Sequence, residues 1–273
     1  MAGKKMASPR SEIVEGLERG LRVIEAFNEN DTEMTLTEVA TKTGLKPATA
    51  RRSLLTLEAL GYVRSEKGRY LLSARIMALG ASYLRSSNIG ALLLPPIRQL
   101  VELVGDNAGL GVRVDFNVLY IAHYFLPGNL QQVASTGSTS PAHTTAAGRI
   151  LLADLAERDL EKWLAQAPLT KSTEFTETNP QKLKAIIVKA GKQGYATVRD
   201  ERYLGMTALA VPVFDPNGQT IAALNTSAYS GHFTEKQIVS ERLKPLQQAA
   251  AGLSRTIGSH PLLLNSLRTT AIV

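Results

Sequence analysis

The chain has 273 residues, of which 44% are hydrophobic and 20% are charged. This length is typical of two domains, and this composition can fill a sizeable core, which excludes a disordered chain. There is no cysteine, which excludes disulfide bonds and thiolate metal sites. The formal net charge of +7 indicates a polyanionic partner. No segment is typical of a signal peptide or a membrane span, so we expect a soluble cytoplasmic protein without a membrane partner.

The first predicted helix covers residues 13–27, where apolar residues recur at helical spacing. Gly16 and Gly20 inside it cost stability, but they permit close packing, for example against a partner subunit. After this helix, a capping box of Thr35 and Glu38 opens a second helix, and Gly44 ends it. A third helix begins at Pro47, because proline costs nothing at a first helical position. Four apolar residues are predicted to line one face of this third helix: Ala50, Leu54, Leu57 and Leu60.

The opposite face of the third helix combines two adjacent arginines with small residues, which lets a helix lie close to a DNA duplex. Gly61 ends this helix, and residues 62–64 and 69–72 then flank a basic turn at 65–68, which predicts a β-hairpin. Residues 42–75 contain eight basic and two acidic side chains, a local net charge of +6. We expect eight residues to contact DNA: Thr49, Arg51, Arg52, Leu55, Thr56, Arg64, Lys67 and Arg69.

Helix, turn, helix and basic hairpin in this order are typical of a winged helix-turn-helix domain that binds double-stranded DNA. The alternative is a solvated basic surface on an ordinary helical hairpin. We place the DNA-binding domain at residues 11–73 and a linker helix at 74–88. An effector-binding domain follows at 89–260, and an apolar tail without an assigned role covers 261–273.

The second domain is predicted to be an antiparallel α+β domain, because strands and helices follow each other without a βαβ rhythm. A helix at 89–104 precedes a hairpin of strands 109–114 and 118–125. The remaining predicted elements are a short strand at 131–134, helices starting near 144 and at 156–166 and 180–193, strands at 206–213 and 219–227, and a helix at 234–257.

Several motifs together resemble the IclR family of bacterial transcriptional regulators. In the first domain they are Gly44-Leu45, Thr49, Arg52, Leu54, Thr56-Leu57 and the run Leu60-Gly61-Tyr62-Val63. In the second domain they include Ser140-Pro141-Ala142-His143, the run 147–153, Asp200-Glu201 and Ala222-Ala223-Leu224-Asn225. The resemblance is strongest to the branch that controls 4-hydroxybenzoate and protocatechuate breakdown. It implies a homodimer or tetramer, a dimerising linker helix and a GAF-like antiparallel sheet domain with flanking helices.

The start of the helix near Thr144 suits a carboxylate, since free N–H groups and small side chains at a helix mouth can hold an anion. Asn225 and Ser227 share one strand face, as do Met206 and Ala208. Tyr120 and Tyr124 are expected to share a face of the early hairpin and to stack on a ring. The resemblance matches Ala146, Ala147, Val198, Met206, Ala208, Asn225 and Ser227 to pocket positions of the family. We expect ten effector-binding residues: Tyr120, Thr144, Thr145, Ala146, Ala147, Val198, Met206, Ala208, Asn225 and Ser227.

The expected protein is therefore a regulator of an aromatic-acid catabolic operon that binds DNA and a small aromatic carboxylate. His143 is expected to bind the ligand or, more simply, to hydrogen-bond in the core. Arg149 is expected either to hold a carboxylate or to form a salt bridge. No enzyme motif, cofactor fingerprint or metal-ligand spacing is present in the sequence. A small-molecule hydrolase and a ligand-independent DNA-binding protein remain alternatives.

Overall fold

The computed structural model describes residues 13–28, 30–126 and 134–268. The chain divides into two compact units, Met1–Tyr83 and Leu84–Val273. The predicted fold class is confirmed: the first unit is a helix-turn-helix with a small sheet, and the second is an antiparallel sheet with flanking helices. Among the described residues, no helix has the length and apolar character needed to cross a membrane.

The first unit packs three helices against a three-stranded antiparallel sheet. Its elements are α1 (Glu15–Glu25), β1 (Glu33–Thr35), α2 (Leu36–Thr43), α3 (Pro47–Ala59), β2 (Val63–Glu66) and β3 (Arg69–Leu72). A further helix, α4 (Met77–Ser86), follows β3. The strand order is β1-β3-β2, with both pairs antiparallel. The sequence analysis missed β1, a strand of only three residues. The boundary between the two units falls inside α4, within the segment predicted as a linker helix.

Local sequence signals place α2 and α3. The Thr35 hydroxyl accepts the Glu38 N–H, and the Glu38 carboxylate accepts the Thr35 N–H at 2.7 Å, so the predicted capping box is present. Gly44 ends α2 with φ of 66°, in the left-handed region that favours glycine. Pro47 is the first residue of α3, and no side chain caps this helix. These two helix ends set the tight turn that orients α3.

The apolar face of α3 was predicted correctly for three of its four residues. Ala50, Leu54 and Leu57 are buried in the core of the first unit. Leu60 was placed wrongly on this face: it is 52% exposed, because α3 ends at Ala59 and Leu60 lies beyond the regular helix. The apolar stripe of α1 is exposed as well, with Leu17 64% exposed.

The second unit is built on a six-stranded antiparallel sheet of order β6-β5-β4-β9-β8-β7. Its strands are β4 (Asn107–Val114), β5 (Asn117–Phe125), β6 (Thr139–Pro141), β7 (Ala196–Arg199), β8 (Met206–Phe214) and β9 (Thr220–Tyr229). Its helices are α5 (Ile89–Leu92), α6 (Leu94–Val104), α7 (Ala146–Ala153), α8 (Glu157–Gln166), α9 (Pro180–Gln193), α10 (Glu235–Gly258) and α11 (Pro261–Leu267). Helix α7 is buried along almost its whole length and packs with α8, α9 and the sheet.

The second unit differs from the sequence analysis in several places, and one predicted strand is not tested. The single helix at 89–104 is two helices, α5 and α6. Val198 lies in the edge strand β7, an element that the sequence analysis did not predict. The predicted strand at 131–134 lies outside the described residues except for Ala134. The tail is helical as far as Leu267, where α11 buries Leu263, Leu264 and Leu267.

Candidate functional site

Helix α3 presents a basic face opposite its buried one. Arg51, Arg52 and Leu55 are all exposed, and Leu55 is 41% exposed although it is apolar. An exposed leucine one turn after two arginines can contact a thymine methyl group while the guanidinium groups bind phosphates or guanine. The geometry of α3 thus suits a helix that enters a major groove.

Thr49, Arg52 and Thr56 lie toward a second surface, a groove between α1 and α3. The Thr56 hydroxyl donates to the Arg52 carbonyl at 2.9 Å, so its oxygen remains able to accept a bond. Thr49 is half-buried at this edge. These three residues flank the exposed helix face and would meet a DNA backbone before a base edge.

The β2–β3 hairpin has a tighter turn than predicted. Ser65 and Glu66 belong to β2, and only Lys67 and Gly68 form the turn, both with positive φ (51° and 80°). Arg64 and Lys67 are exposed.

Arg69 differs from the other two wing cations. Its Nε lies 2.7 Å from a Glu33 carboxylate oxygen, and its Nη2 lies 3.5 Å from Glu38. The charge of Arg69 is thus matched by two carboxylates inside the first unit. The structure gives this residue a role in joining β3 to β1 and α2.

One cavity of the second unit brings together all ten predicted effector-binding residues. They are Tyr120, Thr144, Thr145, Ala146, Ala147, Val198, Met206, Ala208, Asn225 and Ser227. The cavity volume is about 60 Å³. A cavity of about 150 Å³ holds a benzene ring, so an aromatic ligand requires side chains at this cavity to move.

Helix α7 begins at the cavity. The Thr145 hydroxyl accepts the Gly148 N–H at 3.0 Å, which satisfies one of the first N–H groups of the helix. The N–H groups of Ala146 and Ala147 have no acceptor among the described residues. Gly148 is required here, since an added Cβ would lie 2.1 Å from the Ala142 carbonyl oxygen. The helix start therefore offers two N–H groups and a partial positive charge to an anion.

The sheet forms the floor of the cavity in two cross-strand rows. One row runs Asn107, Ser227, Ala208, Val198, and the next runs His123, Gly109, Asn225, Ala210. In the first row the Asn107 Nδ2 donates to the Ser227 carbonyl at 3.0 Å, and the Ser227 hydroxyl donates to the Asn107 Oδ1 at 3.1 Å. The polar groups of this row are thus already paired with each other.

The expectation that Tyr124 shares a face with Tyr120 is wrong. The register of β5 against β4 shifts between Leu110 and Gly111, so Ile121 is an extra residue that reverses the alternation of side chains. Tyr124 lies instead beneath the guanidinium of Arg98, 5.8 Å from the ring centroid. His123 takes the cavity-facing position that the alternation had assigned to Tyr124.

Burial controls the protonation of the aromatic groups on the floor. Burial raises the pKa of Tyr120 to about 12, so its phenol is neutral at physiological pH. Burial lowers the pKa of His123 to about 4, so its imidazole is also neutral. The cavity floor therefore carries polar groups without a formal charge.

Two candidate ligand contacts are occupied by the protein itself. The His143 Nε2 lies 3.0 Å from the Thr170 carbonyl oxygen. This contact is the hydrogen bond within the core that the sequence analysis gave as the simpler role of His143. Burial lowers the pKa of His143, so its neutral form is favoured. Arg149 forms a buried salt bridge with Glu201 at 2.7 Å, which removes it as a carboxylate clamp.

Six further residues line the cavity that the sequence analysis did not nominate: Asn107, His123, Ala134, Ser140, Arg202 and Tyr203. Arg202 and Tyr203 stack, with the guanidinium 4.8 Å from the ring centroid. They lie on the loop between β7 and β8, directly after the Asp200-Glu201 motif. Their position next to this family motif could have identified them as cavity residues from the sequence. Arg202 is the cationic side chain among the cavity residues. No group of three or more metal-ligating side chains occurs in the described part of the chain.

Both units match domains of a known protein family. The IclR helix-turn-helix domain matches residues 16–67, and the C-terminal domain of bacterial IclR transcriptional regulators matches residues 81–255. A Pseudomonas putida protein named Pca regulon regulatory protein is 33% identical over 261 residues, 92% of this chain and 89% of its own. An Acinetobacter baylyi p-hydroxybenzoate hydroxylase transcriptional activator is 27% identical and covers 90% of this chain and 93% of its own.

Solved structures agree with this placement. The crystal structure of an IclR transcriptional regulator from Alicyclobacillus acidocaldarius is 27% identical, with a TM-score of 0.73, and covers 89% of this chain and 99% of its own. The matching relatives are transcriptional regulators and not enzymes, so the hydrolase alternative falls away. A helix-turn-helix unit for DNA and a second unit with an effector cavity are the two working parts of such a regulator. The chain belongs to the IclR family of bacterial transcriptional regulators.

Proposed function

We propose that this regulator controls an aromatic-acid catabolic operon of the 4-hydroxybenzoate or protocatechuate type, and that its effector is a small aromatic carboxylate. The observation that carries the proposal is the cavity of the second unit, where a helix start, an arginine and an apolar wall meet. Similarity to a Pca regulon regulator and to a p-hydroxybenzoate hydroxylase activator supports this effector class.

The carboxylate of the effector would bind at the start of α7. The N–H groups of Ala146 and Ala147 and the guanidinium of Arg202 supply donors and positive charge at the same cavity. Charge-assisted hydrogen bonds of this kind are stronger than bonds between neutral groups. Arg149 does not take part, because Glu201 already neutralises it.

The aromatic ring would lie against the apolar part of the cavity. Tyr120, Val198, Met206 and Ala208 form this wall, and Tyr120 and Val198 are at most 5% exposed. Because the cavity holds only about 60 Å³, the ring displaces the side chains at its mouth. Tyr203, which stacks on Arg202, is 39% exposed, so movement of its side chain costs little buried area.

The DNA would be bound by α3 and the hairpin. The outward face of α3 carries Arg51 and Leu55. These two residues are flanked by Thr49, Arg52 and Thr56. The hairpin extends the basic surface with Arg64 and Lys67. In this proposal α3 would lie in the major groove, and the basic hairpin would contact the adjacent backbone. Arg69 contributes by holding the sheet, given its two carboxylate partners.

We further propose that the first unit pairs with a second copy of this chain. The groove between α1 and α3, which Thr49, Arg52 and Thr56 border, has a volume of about 520 Å³. Its apolar lining includes Leu17 and Leu21 of α1, Leu60 just after α3, and Leu79 of α4. Gly16 and Gly20 beside it have no atom within 4 Å of an added Cβ, which leaves room for another helix. A second α1 supplies a matching apolar stripe, and a two-fold pair presents two α3 helices to successive half-sites.

The dimer is tested by sedimentation of Leu21→Glu, with Leu262→Glu as the matched control. Leu21 lines the groove, whereas Leu262 is 83% exposed on α11 in the other unit. We expect Leu21→Glu to weaken self-association and Leu262→Glu to leave it unchanged. Equal association of wild type and Leu21→Glu would contradict the proposed surface.

A thermal-shift panel tests the effector class. The only tryptophan, Trp163, lies in the second unit, where its Nε1 donates to the Asp115 carbonyl at 3.0 Å, so its fluorescence follows unfolding of that unit. Aromatic acids should raise the midpoint, and above the dissociation constant the shift should grow with the logarithm of ligand concentration, as mass action requires. Dicarboxylic acids without an aromatic ring are the control. A ligand-independent DNA-binding protein would show no shift with any acid of the panel.

A further inference from the structure

Two polar side chains face each other across a glycine on the cavity floor. His123, Gly109 and Asn225 are cross-strand neighbours on β5, β4 and β9. A Cβ added to Gly109 would lie 2.7 Å from the His123 Cδ2 and 3.2 Å from the Asn225 Oδ1. The absence of a side chain at Gly109 therefore lets the histidine and the asparagine approach one another from opposite sides.

Each of the two side chains has one polar atom without a hydrogen-bond partner. The Asn225 Oδ1 and the His123 Nδ1 are buried and have no hydrogen-bond partner among the described residues. Asn225 is only 7% exposed, so bulk water does not compensate for it. An unpaired buried polar atom costs about 1–3 kcal/mol. The neighbouring Asn107–Ser227 pair, in contrast, satisfies itself.

The chemistry of these two atoms selects the group that can pair with both. The Asn225 Oδ1 is an acceptor and requires a donor. His123 is neutral, because burial lowers its pKa to about 4, so its Nδ1 can carry the proton and donate. A hydroxyl group donates once and accepts as well, whereas a carboxylate only accepts.

We propose that His123 and Asn225 form a receptor for a hydroxyl group on the ring of the effector. The hydroxyl would donate to the Asn225 Oδ1 and accept from the His123 Nδ1–H. This inference rests on the proposed aromatic-acid effector and narrows it to hydroxylated aromatic acids. The two contacts would also set the orientation of the effector in the cavity. Its carboxylate would bind at the start of α7 and its hydroxyl between His123 and Asn225.

The test measures affinities of three acids for the full-length protein by calorimetry: benzoate, 4-hydroxybenzoate and 4-methoxybenzoate. Wild type should bind 4-hydroxybenzoate at least about tenfold more tightly than benzoate, as expected for a site whose polar groups are otherwise unpaired. The methoxy compound has no donor for Asn225, so it should bind no better than benzoate. Equal affinity for the three acids would overturn the inference while leaving the aromatic-acid effector intact.

Variants then locate the effect. His123→Phe and Asn225→Leu should reduce the ratio between 4-hydroxybenzoate and benzoate to about one, with benzoate affinity retained. Tyr124→Phe is the matched control, because the neighbouring Tyr124 lies beneath Arg98 and does not line the cavity, so this variant should leave the ratio unchanged. His123→Gln keeps a donor and should restore part of the ratio if His123→Phe loses its fold. A wild-type protein that binds none of the three acids would overturn both the inference and the proposed effector class.

Discussion

The Nη2 of Arg149 lies 2.7 Å from each of the two carboxylate oxygens of Glu201. Arg149 is 3% exposed and the Glu201 side chain is 12% exposed, so the pair is withdrawn from water. Glu201 also accepts the Glu177 N–H at 3.0 Å. This salt bridge fixes the loop that carries Arg202 and Tyr203 to the helix that starts at the cavity.

Removing one charge of this pair should strongly destabilise the second unit. We expect Glu201→Gln to lower its free energy of unfolding by about 3–5 kcal/mol, because it leaves the Arg149 charge buried without a partner. Trp163 fluorescence during urea unfolding measures the loss. Lys184→Ala, which breaks a more exposed pair with Glu157, should cost much less, because water screens that pair. Equal costs for the two variants would contradict the assignment.

Gly109→Ala should weaken effector binding more than it weakens the fold. The added Cβ would meet the His123 ring at 2.7 Å and push it toward the cavity. We expect at least a tenfold loss of affinity for an aromatic acid, measured by calorimetry. Gly218→Ala is the control, a turn glycine with φ of 80° and open space around it. A Gly109→Ala protein with wild-type affinity would show that this row does not form the floor of the ligand site.

Arg52→Ala should weaken DNA binding by about 1–3 kcal/mol if the residue contacts a base edge. A loss of similar size for all DNA sequences, with a smaller dependence on salt, would assign Arg52 to a phosphate instead. Fluorescence anisotropy of a duplex selected by the protein measures both quantities. Arg158→Ala removes an equal charge from an exposed site in the second unit and should have little effect. A loss below a few tenths of a kcal/mol at Arg52 would reject either role.

The capping box of α2 predicts a dependence on pH. The backbone N–H of Thr35 holds the pKa of Glu38 below its usual value, with further help from the Thr35 hydroxyl. A lowered carboxyl pKa stabilises the fold above the unfolded pKa, and this stabilisation disappears as pH falls through the lowered value. Glu38→Gln should therefore speed hydrogen exchange in α2 a few-fold at pH 7. The difference from wild type should vanish in acid, and a difference that persisted there would exclude an ionised cap.

Local sequence rules predicted what depends on neighbouring residues. The Thr35–Glu38 cap, Gly44 and Pro47 each act within one helical turn, and the structure has all three. The ten cavity residues were nominated through the helix start near Thr144, strand alternation and family resemblance. The structure gathers them around one cavity, because β7, β8 and β9 pair in register beneath α7.

Features that depend on distant pairing were missed. The extra residue Ile121 is set by how β5 pairs with β4, so alternation alone selected Tyr124 where His123 faces the cavity. Glu201 meets Arg149 only after the sheet has formed, and the partners of Arg69 come from β1 and α2. Leu60 and the apolar stripe of α1 are exposed in the single chain, and the proposed pairing with a second copy would bury them.

The central claim is that the second unit binds an aromatic acid and that this binding is coupled to DNA. The most direct measurement is calorimetric titration of the full-length protein with 4-hydroxybenzoate, first alone and then saturated with its selected duplex. We predict one site per chain and a dissociation constant that differs between the two states by about fivefold or more, since coupling between two sites is reciprocal. No binding in either state, or equal constants in both, would contradict the account.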